Sequence, residues 1–245
     1  NQTEREYTIN SDWVENIIEF GQRIKRNYFN KARDNDDIAN YIPTSTPYAI
    51  IERYKKVIAA EIELETKNFP FLNANSLILD NLNVRESAGK EVNAVFTLLN
   101  NNYVLLLGDP GGGKTTTLKM VVLQSIKEKN FIPIFYKLSD YQGEDIISIV
   151  SNSINKAVGN KINPKFIDTL LKDGSFKFLF DGLNEVSGNI ETNGTINYGR
   201  ELVIKWLNNL STSKVYSKNS FIVSCRTYDD PKLNINWPTF KLNPL

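Results

Sequence analysis

The chain contains no histidine, and it has a single cysteine and a single methionine in 245 residues. Without histidine there is no imidazole to act as a base, a metal ligand or a switch near neutral pH. One cysteine excludes an internal disulfide framework and suits a reducing compartment, so a cytoplasmic setting is expected. Charge of one sign is also lacking: Lys and Arg number 29, Asp and Glu 28, and the net charge is +1. That balance argues against the broad electropositive surface with which proteins grip nucleic acid. Tyr and Phe do not interleave with a basic stripe, as a single-strand binder requires. No apolar run approaches the roughly 18 residues that span a bilayer, so no membrane partner is expected. No signal peptide is visible, and the first residues are Asn1-Gln2, which leads to the expectation of a piece of a longer protein.

What is present is ordinary globular composition, 41% hydrophobic and 23% charged. A chain of this length buries a sizeable core without disulfide or metal staples. Near the start, Trp13, Ile17, Phe20, Ile24 and Tyr28 recur at helical spacing, with Asp12 and Glu15 placed as a capping box; a helix is predicted over 12–33. Pro43 and Pro47 mark a linker, and a second amphipathic segment follows at about 48–65. Together they read as an N-terminal helical appendage, packed on the core or docking a partner.

From Ala88 the pattern alternates. A helix is predicted near 88–101, then a short apolar run from Tyr103 to Leu107. Further runs cover Phe131 to Tyr136, Phe176 to Phe180, Phe221 to Cys225 and, more weakly, Phe240 to Leu242. Helical stretches lie between them near 114–129, 143–158, 164–172 and 199–210. Continuous apolar strands alternating with helices predict an α/β fold with a parallel sheet covered on both faces. Ligands of such sheets bind at the carboxyl ends of the strands.

The strongest motif sits at one of those ends. Gly108-Asp109-Pro110-Gly111-Gly112-Gly113-Lys114-Thr115 fits G-x-x-x-x-G-K-[ST], directly after an apolar strand and before a helix. Glycines let successive N–H groups curl around a phosphate, and the helix N-terminus adds partial positive charge. Lys114 then reaches the β- and γ-phosphates, the Thr115 hydroxyl ligates magnesium, and Thr116 sits near the α-phosphate. The loop therefore implies a nucleoside triphosphate with Mg2+.

Two further strand ends carry chemistry. Phe176-Lys177-Phe178-Leu179-Phe180-Asp181 is an apolar strand closing on a carboxylate, which in P-loop proteins supports the magnesium shell; the alternative for Asp181 is a turn cap. Glu185, four residues on, is placed to orient or deprotonate an attacking water; the alternative is a solvated loop acid. After Phe221-Ile222-Val223-Ser224-Cys225 comes Arg226, a sensor of the γ-phosphate or a stabiliser of charge in its transfer. The alternative for Arg226 is a structural ion pair with Asp229 or Asp230. Arg200 reads as a surface ion-pair partner, and Trp206 as core.

The phosphate loop, the stretch Phe178-Leu179-Phe180-Asp181-Gly182-Leu183-Asn184-Glu185-Val186 and the stretch Ile222-Val223-Ser224-Cys225-Arg226 together resemble the NACHT family of STAND nucleotide-binding domains. The likeness runs over about 50–245, including Leu79-Asp80-Asn81-Leu82-Asn83-Val84 and the closing Phe240 to Leu245. It implies an AAA+-like three-layer sandwich with a five-stranded parallel sheet in order 5-1-4-3-2. It divides the chain into a helical segment and linker, 1–47, and a nucleotide-binding domain, 48–245, without the family's winged-helix and sensor regions. It further implies ATP and ADP as ligands, slow hydrolysis, and nucleotide-gated self-oligomerisation in innate immunity or antiphage defence. By this resemblance Lys114 and Thr115 take the phosphate and magnesium roles, Asp181 the metal role, Glu185 the catalytic carboxylate and Arg226 the sensor role. The family often has an acidic residue where this chain has Asn184, which implies one carboxylate fewer and slower hydrolysis. Two other functions stay open: an AAA+-like ATPase acting on nucleic acid, and a hydrolysis-deficient nucleotide-binding module.

Overall fold

The apolar runs of the sequence become the strands of one sheet. The computed structural model describes residues 46–67, 83–85, 91–128, 131–186, 188–192, 195–229 and 237–243. The helix predicted over 12–33 and the linker at Pro43 lie outside them. In chain order, helix α1 (Pro47–Lys67) is followed by two short strands, β1 (Asn83–Arg85) and β2 (Glu91–Asn93). Next come α2 (Ala94–Asn100), β3 (Tyr103–Leu107), α3 (Lys114–Glu128) and β4 (Ile132–Lys137). They lead to α4 (Ile146–Val158), α5 (Pro164–Lys172) and β5 (Phe176–Asp181). A hairpin, β6 (Asn189–Thr192) and β7 (Thr195–Tyr198), precedes α6 (Gly199–Thr212), β8 (Ser220–Cys225) and β9 (Thr239–Leu242).

Five strands run parallel in the order β9-β3-β8-β5-β4. Numbered one to five along the chain, that is 5-1-4-3-2, the order implied by the resemblance. The sheet is larger than expected. β1 pairs antiparallel with both β2 and β9, which extends it to seven strands. Three-residue strands are too short for a period-two pattern to register in sequence. For the same reason the helix predicted near 88–101 begins only at Ala94: Asn93 is extended, and its side chain accepts the Phe96 N–H at 2.9 Å. An asparagine carboxamide at that place starts a helix by satisfying a first-turn amide. Asp145 does the same for α4, accepting the Ser148 N–H at 2.9 Å, so the helix predicted from 143 begins at Ile146. The β6–β7 hairpin is a further addition to the expected elements.

Strand alternation sorts side chains into two cores. Leu105, Leu107, Phe178, Phe180, Phe221 and Val223 pack with α4, α5 and α6. Val104, Leu106, Leu179 and Ile222 pack on the other face with α2 and α3. The result is a three-layer α/β sandwich of the P-loop NTPase kind. Helix α1, read as part of an appendage, is built into this body: Ile50, Ile51 and Tyr54 are buried, and the Tyr54 hydroxyl donates to the Pro133 carbonyl at 2.9 Å. Trp206 packs beside Phe180 and Tyr141, with ring centroids at 5.3 and 4.9 Å.

Among the described residues, one charged side chain lies wholly inside. Lys177 is fully buried on the α2 face of β5. Its Nζ donates to the carbonyls of Leu98 and Leu99 at 3.1 Å each, to that of Asn101 at 3.4 Å, and to Ser220 Oγ at 2.9 Å. These carbonyls close α2, where a helix leaves acceptors unpaired and concentrates negative partial charge. The Phe131 ring lies 5.1 Å from the ammonium.

Burial pulls Lys177 down from 10.5 to about 8, against the opposing pull of Glu128. Below that pH the folded and unfolded chains both hold the proton, and the cost of burying the charge is fully present. Between about 8 and 10.5 only the unfolded chain keeps it, so stability rises with pH. Urea titrations should show wild type gaining on the order of 3 kcal/mol relative to Lys177→Met across that window. A pH-independent difference would show that the four acceptors keep the ammonium charged throughout.

Candidate functional site

The carboxyl ends of β3, β5 and β8, three adjacent strands, meet at the N-terminus of α3. Here β3 has neighbours reached by crossovers in opposite directions, the place where open α/β sheets take ligands. The loop from Gly108 turns tightly on left-handed glycines, Gly111 at φ 73° and Gly113 at φ 85°. The Gly112 N–H bonds the Asp109 carbonyl at 3.0 Å, and Thr117 starts the helical ladder by bonding the Gly113 carbonyl at 2.8 Å. The amides of Lys114, Thr115 and Thr116 stand before that first rung, free of intrahelical acceptors. Gly108 is buried against Lys114: an added Cβ would meet the lysine Cγ at 3.1 Å. Asp109 and Pro110 are exposed at the rim, and Thr116 is half-buried in the first turn.

Lys114 folds back over its own loop. Its Nζ donates to the carbonyls of Gly108 at 2.7 Å and Asp109 at 2.9 Å. Burial holds this ammonium below the ordinary lysine value; Asp181 pulls it up, and Arg226 pushes it further down. Asp181 and Arg226 therefore both lie within electrostatic reach of Lys114.

The same alternation that builds the α3-side core aims Asp181 and Ser224 toward α3, in phase with Leu179 and Ile222. Asp181 is half-buried. Thr115 Oγ1 donates to Asp181 Oδ2 at 2.7 Å, and Ser224 Oγ donates to Asp181 Oδ1 at 2.5 Å. A hydroxyl that gives its proton to a carboxylate keeps its lone pairs for a cation. One hydroxyl and one carboxylate are the sparse oxygen donors with which proteins hold Mg2+ beside substrate phosphates. No cluster of three or more His, Cys, Asp or Glu side chains suited to a metal occurs among the described residues, so a divalent ion here would need phosphate oxygens as well. The residues fit both groups that the loop implies, a polyphosphate and magnesium.

Glu185 lies in a single 3-10 turn, Leu183–Glu185, and is exposed. Its carboxylate folds over Gly182: a Cβ on that glycine would sit 2.9 Å from Glu185 Oε2. Among the described residues it makes no ion pair. Asn184 turns inward, and its Oδ1 accepts the Arg226 N–H at 3.1 Å. Arg226 in turn donates from Nη1 to the Tyr228 hydroxyl at 2.9 Å. The alternative for Arg226, an ion pair with Asp229, does not form. Asp229 instead pairs with Arg200, Nη1 to Oδ1 at 3.5 Å, while the other guanidinium nitrogen donates to the Asp229 carbonyl. Asp230 lies outside the described residues. Cys225 is buried behind this loop, with Sγ 3.3 Å from the Asp229 carbonyl.

Three contacts are not legible in the sequence: Ser224 on Asp181, Asn184 on the Arg226 backbone, and Tyr228 on the Arg226 guanidinium. A serine inside an otherwise apolar strand is a signal for the first. The other two depend on how two loops meet.

Residues 89–157 match the family described as Novel STAND NTPase 3. This similarity supports a STAND NTPase, a class of nucleotide-binding signalling modules, and covers β2 through α4. It includes the phosphate loop and leaves Asp181, Glu185, Ser224 and Arg226 to geometry. No curated protein matches. Among solved structures, a chain of the HORMA:CdnC:Trip13 complex of E. coli MS115-1 aligns at 16% identity and a TM-score of 0.32. The alignment covers 79% of this chain and 64% of that one. Among the described residues no helix is long and apolar enough to cross a membrane.

Gly182 has φ 80°, where a side chain strains the backbone, and an added Cβ would displace the exposed Glu185 carboxylate, so Gly182→Ala should lower unfolding stability by about 1–2 kcal/mol in urea. Gly188→Ala, which meets open space, should stay within ~0.5 kcal/mol. Equal effects would show that the left-handed backbone at Gly182 is not a constraint.

Proposed function

We propose that the chain binds ATP with magnesium on the loop Gly108, Asp109, Pro110, Gly111, Gly112, Gly113, Lys114, Thr115 and Thr116, and serves as a nucleotide-controlled switch with slow hydrolysis. The observation that carries this reading is the 2.7 Å bond from Thr115 to Asp181, which joins the phosphate loop to the acidic strand on one face of the sheet. In this reading the loop amides and Lys114 hold the β- and γ-phosphates, while Thr115 and Asp181 would hold magnesium. The ion supplies charge neutralisation on the phosphates when bound. Glu185 orients the attacking water and accepts its proton, and Arg226 meets the γ-phosphate on leaving Tyr228.

The geometry favours slow turnover. Lys114 must exchange two loop carbonyls for phosphate oxygens. Glu185 faces solvent and, among the described residues, has no ion pair to hold it over an attacking water. The Asn184 carboxamide is engaged with the Arg226 backbone. The narrower reading as a NACHT domain over 48–245, with ADP holding the resting form and self-oligomerisation on exchange, rests on the resemblance of the three motifs. So does its setting in cytoplasmic innate immunity or defence against phage. Base choice, ATP over GTP, rests there too.

A second reading has its own support: the exposed Glu185, without an ion pair among the described residues, and the amide at Asn184 fit a module that binds nucleotide without turning it over. Calorimetry should find that Lys114→Ala abolishes ATP binding; wild-type affinity in that variant would overturn the site. Wild-type turnover should stay below about 1 per second. Glu185→Gln should slow it by about a hundredfold or more with binding retained; no change would favour the second reading.

A further inference from the structure

We propose that Ser224 is a positioning residue that fixes the Asp181 carboxylate for its cation. The inference rests on the magnesium–nucleotide reading above and assigns a role to a side chain outside the phosphate loop and the acidic strand. Ser224 is fully buried in β8, level with Leu106 of β3. Its hydroxyl has one proton and is held from both sides. The Gly182 N–H donates to Ser224 Oγ at 2.8 Å, which leaves the serine proton to point at Asp181 Oδ1, 2.5 Å away. Thr115 donates to the other oxygen, Oδ2. The two donors come from different elements and grip different oxygens, so together they set both the place and the plane of the carboxylate.

Without Ser224, Asp181 keeps, among the described residues, only the bond to Thr115 and is free to turn about its Cβ–Cγ axis. The donor to be weakened would be the one on the cation, not the loop that holds the phosphates. Ser224 also accepts from the turn that carries Glu185, because Gly182 in turn accepts the Glu185 N–H at 2.8 Å. Outer partners of this kind typically govern metal affinity by about 10–100-fold.

The test separates metal from nucleotide. Mn2+, a paramagnetic stand-in for Mg2+, is titrated into protein saturated with ATP and followed by electron paramagnetic resonance; ATP affinity is measured separately in EDTA. Ser224→Ala should weaken Mn2+ binding by about tenfold or more while leaving ATP affinity in EDTA within about twofold. Ser224→Thr, which restores a hydroxyl, should recover most of the metal affinity. Unchanged Mn2+ affinity in Ser224→Ala overturns the proposal, as does an equal loss of ATP affinity in EDTA. If the alanine variant does not fold, Ser224→Cys and Ser224→Thr decide, since the thiol is the weaker donor: equal metal affinity in the two overturns it. A wild-type chain that fails to bind ATP at all overturns the underlying reading, and this one with it. Where wild type binds both ATP and Mn2+, a failure of the prediction for Ser224→Ala falls on Ser224 alone.

Discussion

A single constraint organises this molecule: side chains on a strand alternate, so every second residue faces the same layer. On β5 that phase places Lys177, Leu179 and Asp181 toward α2 and α3. On β8 it places Ser220, Ile222 and Ser224 there. The helix that follows the phosphate loop is thereby presented with a carboxylate and a hydroxyl from two neighbouring strands. The bond between Thr115 and Asp181 is the closure of that arrangement. A slip of one residue in either strand would turn these groups into the phenylalanine-rich core on the opposite face, where Phe178 and Phe221 stack at 5.1 Å. An unpaired carboxylate there would be costly.

Much of this is legible in the sequence because the signals are long or chemically restrictive. The parallel strands are continuous apolar runs, and the helices between them fill the stretches that separate those runs. The phosphate loop admits few substitutions, since glycines at positive φ and a helix start are needed together. The elements that escape are short. β1 and β2 have three residues each. The β6–β7 hairpin joins two strands of four residues, and its signal is the dipeptide Asn193-Gly194 between them in the sequence rather than any strand period. Asn93 and Asp145 move two helix starts inward by capping them, an effect that periodicity alone does not register.

Within the site, what escapes is the partner of each group rather than the group. Asp181, Lys114 and Arg226 can be named from their places at strand ends. That Asn184 is spent on a backbone amide of Arg226 cannot, because it follows from the meeting of two loops that are distant in sequence. That contact gives Asn184 a structural occupation. A carboxylate at the same place would accept the same N–H, so the amide preserves the link between the loops while removing a negative charge from beside Glu185.

Lys177 and Asp181 stand four residues apart on one face of one strand. The first is anchored to the closing carbonyls of α2, the second to the opening turn of α3. β5 is therefore pinned near both ends, like a beam bolted to two posts. Sliding along its own axis would break both fastenings at once. In the proposed switch, any rearrangement on phosphate loss would fall to the segments beyond the second bolt: the turn at Gly182 and the 3-10 turn Thr227–Asp229.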